Sequence, residues 1–570
     1  MQDRFYIAGI LREIGSLLHV IGGVPFKARA YERAARALEN FPGDFDALVK
    51  SRRLTQIDGV GNALAAVIEE IYRTGESAML QQIRGEMPPG VVELNAIPGL
   101  TLKKIIALHE ALRIEGIADL KRACHDGLVR AVKGFGQKAE AKILAAIEKL
   151  ENREDRTLLD HALAEAEAML HYLRDAPEIA QCDIAGSLRR RKETVRQIHM
   201  IAASGDPKAV IDRFLRYPLF ARSDEAGSRG CVGRLARGLE VELHIVAPAE
   251  YVPGLHYWTG SRQHYVALED LSRSKGISLG ADGLKGPKDK QLKIESEGDI
   301  YRRLGLKYIA PELRENEGEI EAASNGSLSD TVLTEDIQGM VHCHTTYSDG
   351  QNTIEEMALA AEAMGMRYIT ITDHSPNAFY AGGVKIDRLR AQWEEIDRVQ
   401  ERVQIKLLKG TESDILEDGL LDYPDYILEK FDIIIASIHA RHKMTSDQMT
   451  GRLLRVMKLP FFKIWGHPLG RLIQSRPPFE CRMEEVLDGV ATSRAAIEVN
   501  GDPRRLDLEP HWIRAARQRG IRFVVSSDAH SIKNLQNFSY GVAMARRGWL
   551  MRNEILNTLA VKDFMKAVHP

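Results

Sequence analysis

Residues 342–350 read HCHTTYSDG, and they close an apolar run that begins at Met340. In a strand, successive side chains alternate faces, so His342 and His344, two apart, are expected to point the same way. Further apolar runs follow, most ending in His, Asp or Glu: YITITDH (368–374), IKLLKGTE (405–412), FDIIIASIH (431–439), FFKIWGH (461–467), AAIEVN (495–500) and IRFVVSSDAH (521–530). Helical segments separate them. Seven such strands alternating with helices predict a parallel β/α barrel. The active site of such a barrel lies at the C-terminal strand ends, where these polar residues stand.

Eight of them, with Asp349 from the loop after the first strand, form a candidate metal set: His342, His344, Asp349, His374, Glu412, His439, His467, Asp528 and His530. One ion takes three or four protein ligands, so nine imply two or three ions. Nitrogen and oxygen donors without thiolate favour Mn²⁺ or Zn²⁺ over Mg²⁺. Clustered divalent cations suit phosphoester hydrolysis, because they acidify a water and neutralise the phosphate. A lone strand-end histidine is usually a polar cap, but a set this large is poorly explained that way.

The motifs HCHTTYSDG (342–350), ITDHS (371–375), GTESDI (410–415), SIHA (437–440), GHPLGR (466–471), EVNGDPRRLDL (498–508) and SSDAHS (526–531) resemble the PHP (polymerase and histidinol phosphatase) superfamily. The resemblance implies a distorted (β/α)₇ barrel with a trinuclear site, and carries the nine ligands over residue by residue. Met340 stands where relatives often have Asp, with little consequence expected for metal binding. Arg471, just after GHP, is a candidate phosphate contact through its planar fork.

The bulk properties fit a multidomain intracellular protein. At 570 residues the chain predicts three or four domains. Five scattered cysteines argue against a disulfide framework and for a reducing cytoplasm. No apolar run is long enough for a membrane span. The opening MQDRFYIAGILREIG has an acidic third residue and helical periodicity, unlike a signal peptide. A net charge of −2 gives no global signal for nucleic acid, but residues 101–150 carry 10 Lys/Arg against 6 Asp/Glu. Contact with DNA must therefore be local.

Before the barrel, one pattern recurs: apolar, x, Gly, apolar, Gly or a substitute, then a helix. It appears as IDGVGNALAAVIEEI (57–71), IPGLTLKKIIALHEAL (97–112) and VKGFGQKAEAKILAAI (132–147). These units resemble helix-hairpin-helix modules. Paired glycines let the turn approach a phosphate closely, and the next helix offers free amides. Gly59, Gly61, Gly99, Gly134, Gly136 and Lys138 are the candidate DNA-binding residues, with Lys133 nearby. Thr101 replaces the second glycine of the middle copy.

The order of hairpin modules, IAGSLRRRKET (184–194), YWTGSRQHY (257–265), YIAPELRENEGEIEAA (308–323) and barrel resembles the bacterial X-family DNA polymerases (PolX) along essentially the whole chain. In that family a Gly-Ser turn cradles phosphate and an Arg three residues on contacts the triphosphate; Gly186, Ser187 and Arg190 match. Two aspartates should follow, but Gln197 and His199 stand there, and Glu242 takes the third carboxylate position. Those carboxylates hold two Mg²⁺ ions, and Mg²⁺ demands hard oxygen donors. Tyr265, Glu269, Val67 and Ala63 also depart from family residues, Val67 at the position of the lyase lysine. This nucleotide site is therefore expected to be degenerate. The rival is that Glu242 and His199 still hold one Mn²⁺ and support weak synthesis.

The fold expected is a multidomain α+β chain. It comprises an N-terminal helical domain (1–90), a fingers-like helix-hairpin-helix domain (91–150) and a nucleotidyltransferase-like palm (151–248). A thumb (249–320), a linker (321–336) and the PHP barrel (337–570) follow. The expected protein is a monomeric cytoplasmic DNA-repair phosphodiesterase. It would be a 3′–5′ exonuclease, with cutting at abasic sites and cleaning of 3′ ends as further expected activities, using two or three Mn²⁺ or Zn²⁺ ions on gapped, nicked or 3′-end DNA. The alternatives are an active gap-filling polymerase with an editing nuclease, a small-molecule phosphatase and a non-catalytic DNA-end binder.

Overall fold

The computed structural model describes residues 4–21, 25–39, 45–57, 59–85, 87, 90–95, 97, 100–151, 156–235, 238–493 and 495–569. The chain divides into two compact units. The first comprises Met1–Thr157, Ala164–Asp183 and Arg196–Pro248; the second comprises Leu158–Leu163, Ile184–Val195 and Ala249–Pro570.

In the first unit, the predicted hairpin helices are α1 (Asn62–Thr74), α2 (Leu102–Leu112) and α3 (Gln137–Glu151). Before each, an amide bonds the carbonyl three residues back: Val60 to Ile57 at 3.0 Å, Leu100 to Ile97 at 3.1 Å, Phe135 to Val132 at 3.0 Å. Gly59 and Gly134 take φ of +82° and +93°, a region costly for residues with a Cβ. Thr101 adopts the extended conformation that Gly61 has at the start of its helix, so threonine is accommodated there. Gly99 lies outside the described residues. One apolar core runs from Ile7 to Ile147, across the boundary expected at residue 90. Short helices bury too little alone, so the two modules share one core.

The palm sheet orders its strands β1 (Gln181–Ile184), β2 (Gln197–Ala203), β5 (Glu240–Val246), β4 (Gly230–Leu235) and β3 (Phe220–Gly227). β2 and β5 run parallel, with His199 opposite Glu242 and Ile201 opposite His244.

In the second unit, Leu268, Tyr301, Leu304 and Leu313 centre an apolar cluster. Residues 321–336 are not a free linker: α4 (Glu319–Asn325) enters them, and Ala322, Ala323, Leu328 and Val332 are buried. The Val332 amide also bonds the Leu550 carbonyl. Polar composition suggested a spacer, but the interspersed apolar residues had a core to join.

The barrel strands are β6 (Gly339–Cys343), β7 (Tyr368–Ile371), β8 (Lys406–Asp414), β9 (Ile433–Ser437), β10 (Ile464–Trp465), β11 (Ala496–Asn500) and β12 (Phe523–Ser526). They pair in sequence order, each parallel to the next. Between the first strand and the segment after the last, the Ala529 amide bonds the His342 carbonyl at 3.0 Å and the His344 amide bonds the Ala529 carbonyl at 2.8 Å. A cluster of strand residues packs with Phe564 and Val568 of α5 (Val561–Val568), and Tyr368 stacks on Phe564 at 4.8 Å.

Glu193, from the segment that closes the GSLRRRKET motif, accepts from Arg547 at 3.0 Å and Arg471 at 3.3 Å. Burial alone would raise its carboxyl, but the two guanidiniums outweigh it and hold it down to about 2. The folded pKa is depressed, so this contribution to stability is complete above the unfolded value of about 4.3 and is lost as pH falls toward 2. Glu193→Gln should cost about 3 kcal/mol in urea unfolding at pH 7, the low end for breaking a buried pair. The wild type should lose a comparable increment between pH 4.3 and 2, while the variant should not. Equal midpoints at pH 7 would show that the arginines find other partners.

Candidate metal centre

Glu412, at the C-terminal part of β8, is the hub of the nine-residue set. Its Oε1 lies 3.1 Å from His439 Nε2 and 2.8 Å from His467 Nε2. Its Oε2 lies 2.9 Å from His374 Nδ1, 3.3 Å from His342 Nε2 and 3.6 Å from His344 Nε2. Asp528 Oδ1 stands 3.4 Å from His344 Nε2 and 3.6 Å from His342 Nε2. Asp349 Oδ1 reaches His530 Nε2 at 3.4 Å and His374 Nε2 at 3.7 Å. The structure thus brings all nine residues together.

Three overlapping groups each have ligand atoms close enough to share an ion: His344, Asp349, His374 and His530; His342, His344 and Glu412; His374, Glu412 and His439. The donor atoms fit that use. His342 Nε2, both ring nitrogens of His344, His374 Nδ1 and His467 Nδ1 are buried without an aligned hydrogen bond among the described residues. Buried imidazole nitrogens normally find hydrogen-bond partners, and ring nitrogens left without one beside buried carboxylates are the donors that cations use. Burial favours a neutral Glu412, but His439, His342 and His374 outweigh it and hold the carboxyl well below the usual range.

The local backbone differs from the simple alternation expected of HCH. His342 has φ +66°, and the β6–β7 register shifts between Met340 and Cys343. A bulge re-aims a side chain that strict alternation would place otherwise. Positive φ recurs at His467 (+22°) and Asp528 (+49°). Uncommon backbone conformations of this kind cluster at functional sites, where surrounding structure enforces them.

A further layer of residues, not singled out from sequence, orients these ligands. Glu498 Oε1 lies 2.5 Å from His342 Nδ1, and its Oε2 accepts from the His467 amide. Asp414 bonds His439 Nδ1. Asn500 Nδ2 donates to Glu498 at 3.2 Å and Asp528 at 3.1 Å. Such partners fix ring orientation and tautomer. A signal was present for Asp414 and Asn500: each lies two residues past a functional carboxylate on its own strand, Glu412 and Glu498.

The expectation for Arg471 is corrected. Its guanidinium is occupied by Asp507 at 2.9 Å, Glu509 at 2.5 Å, Glu193 and the Leu506 carbonyl at 2.6 Å. With its donors committed and the side chain 8% exposed, it braces loops and has none left for a phosphate. Arg505 is the better-placed cation. Its Nε lies 3.2 Å from Asp528 Oδ2, and its Nε and Nη1 make no aligned hydrogen bond among the described residues.

Arg190 is also committed, to Glu315 at 2.9 Å and the Thr259 carbonyl at 2.8 Å. Its neighbour Arg189 forks onto Glu297 at 2.9 and 2.7 Å. The RRRK turn is therefore neither a ready triphosphate clamp nor a solvated loop. These pairs explain why Ile184–Val195, with Gly186 and Ser187, clusters with the second unit.

In the first unit, Gln197, His199 and Glu242 do meet. Gln197 Nε2 lies 3.2 Å from Glu242 Oε2, and His199 Nδ1 lies 3.3 Å from that same oxygen. His244, unnoticed in the sequence, joins them with Nε2 3.4 Å from His199 Nδ1. Burial, then His199, pushes the His244 ring down to about 3. Gly59, Gly61, Gly134, Gly136 and Lys138 are exposed, with nothing within 4 Å of a Cβ built at Gly61, Gly134 or Gly136. Among the described residues no helix is long and apolar enough to cross a membrane, and the five cysteines are free.

The sequence matches three family models: a helix-hairpin-helix domain over 4–77, the DNA polymerase beta thumb over 254–315 and the PHP domain over 341–500. A DNA polymerase/3′-5′ exonuclease PolX of Bacillus subtilis (strain 168) is 33% identical over 561 residues, 98% of each chain. A probable phosphatase of Thermoanaerobacter sp. (strain X514) is 29% identical over 245 residues, 40% of this chain and 93% of its own length. A probable phosphatase of Caldanaerobacter subterraneus subsp. tengcongensis shows the same identity, with 89% of its length covered.

Proposed function

This chain belongs to the PolX family, and on that premise we propose that it is a DNA-end phosphodiesterase, a 3′–5′ exonuclease run by its PHP barrel, without template-directed synthesis. The observation that carries this reading is the contrast between its two candidate centres. The barrel gathers six imidazoles and two further carboxylates with Glu412. Among the described residues, the palm cluster of Gln197, His199, Glu242 and His244 holds one carboxylate, Glu242, where two Mg²⁺ ions would need several.

The nine barrel ligands would hold two or three divalent ions, Mn²⁺ or Zn²⁺ by donor chemistry. Bound, these ions supply charge neutralisation at the phosphate and acidify water. Glu412 belongs to two of the three ligand groups, so its two oxygens set the spacing between them. Glu498 and Asp414 hold His342 and His439 in the orientations that aim their outer nitrogens inward. Arg505, ion-paired to Asp528 through Nε, would offer its Nη1 to a non-bridging phosphate oxygen. The exposed glycine turns of the first unit approach the DNA backbone without reading sequence.

The rim favours a nucleic-acid end over a small ester. Phe379 and Tyr380 are 84% and 65% exposed, and the Tyr380 ring lies 6.3 Å from His374 and 6.4 Å from His439. Exposed aromatic rings beside a hydrolytic centre can stack on a terminal base, an interaction worth about 1–3 kcal/mol per base. Phe379→Ala/Tyr380→Ala should therefore slow removal of the 3′ nucleotide by tenfold or more, with hydrolysis of a non-aromatic phosphodiester unchanged. Equal losses on both substrates, or faster turnover of free phosphomonoesters than of DNA ends, would favour the small-molecule phosphatase.

A further inference from the structure

The palm cluster has a chemistry of its own. We propose that His199, Glu242 and His244 form a binding site for one transition-metal ion of the zinc class, held by strands of the first unit alone. This goes beyond the loss of synthesis and does not depend on the nuclease assignment. The residues that displaced a two-Mg²⁺ site make a site for a different ion.

The geometry has three parts. The ligand atoms are spaced for one small cation. His199 Nδ1 lies 3.3 Å from Glu242 Oε2 and 3.4 Å from His244 Nε2, and His244 Nε2 lies 3.6 Å from Glu242 Oε1. A tetrahedron with metal–ligand bonds of about 2.0–2.1 Å has edges of about 3.3 Å, whereas octahedral edges at that bond length are about 2.9 Å. The observed separations fit four-coordination with little movement.

The second part is the scaffold. β2 and β5 are adjacent and parallel, His199 faces Glu242 in register, and Glu242 and His244 are two apart on one strand. Ligands on paired strands are held more rigidly than ligands on loops. The side chains are 21%, 33% and 10% exposed for His199, Glu242 and His244, so solvent can supply a fourth ligand and the ion has a way in.

The third part is donor chemistry. Two imidazoles and one carboxylate suit Zn²⁺ or Co²⁺ and disfavour Mg²⁺. The Gln197 amide lies 2.7 Å from His199 Nε2, the ring nitrogen away from Glu242 and His244. A half-turn of the amide would let its oxygen accept from His199 Nε2–H in place of the present donation to Glu242 Oε2, and leave the Nδ1 lone pair to a metal. Gln197 is then a positioning residue for the site, not a leftover of a lost one.

The test counts ions on the full-length chain. After equilibration with Zn²⁺ and desalting, elemental analysis should find one fewer ion per chain in His199→Asn/His244→Asn than in wild type. With Co²⁺, the difference spectrum between wild type and Glu242→Gln should show the visible absorption of a four-coordinate ion. That band should survive in Glu412→Gln, which perturbs only the barrel. Glu242→Gln keeps the shape of the side chain and should weaken this ion tenfold or more. It decides the matter even if the double histidine variant fails to fold. Equal zinc counts with no cobalt difference band would overturn the proposal and leave a hydrogen-bonded polar network.

Discussion

Glu412→Gln should abolish shortening of a 5′-labelled primer in Mn²⁺, with a rate loss on the order of 10³-fold or more. The carboxylate lies within 3.6 Å of five imidazole nitrogens and serves two of the three candidate ion groups. Removing its charge weakens more than one ion at once, and a rate loss of 10³ corresponds to about 4 kcal/mol of transition-state stabilisation. DNA affinity should stay within a few-fold, because the exposed glycine turns lie in the other unit. Chelation of the wild type should reproduce the defect, and restored Mn²⁺ should reverse it only in the wild type. A variant that digests primers at the wild-type rate would place the nuclease outside the barrel.

The second large effect is an absence of synthesis. With Mg²⁺ and all four dNTPs, primer extension on a gapped template should fall below about 10⁻⁴ of that expected of a palm bearing its full carboxylate set, because two ligand charges are missing and each is worth several kcal/mol. The assay belongs in the Glu412→Gln background, where degradation cannot mask extension. Gln197→Asp/His199→Asp should raise the rate if ligand chemistry alone is limiting. Extension by the parent chain that disappears in Glu242→Gln would falsify the loss of synthesis and make Glu242 a working polymerase ligand.

The sequence by itself determined the barrel and its nine candidate ligands. Each strand is a short apolar run, and most end in a residue whose chemistry is legible without partners. The hairpin turns were legible for a similar reason: Gly59 and Gly134 sit where the backbone takes positive φ, a local requirement with a local signature. That positions 197 and 199 carry an amide and an imidazole in place of carboxylates was also legible, because side-chain chemistry is written in the residue itself.

Only the tertiary structure decided partnerships. Arg471 looked available for phosphate, but its Glu193 partner lies 278 residues away in sequence. Arg190 found Glu315, 125 residues on, and Glu498 found His342 from 156 residues away. His244 became a neighbour of His199 because β2 and β5 pair in parallel across 45 residues. Periodicity reports which face a side chain takes along its own element. It carries no information on which distant segment will meet that face, and a charged group's role is set by the partner that neutralises it there.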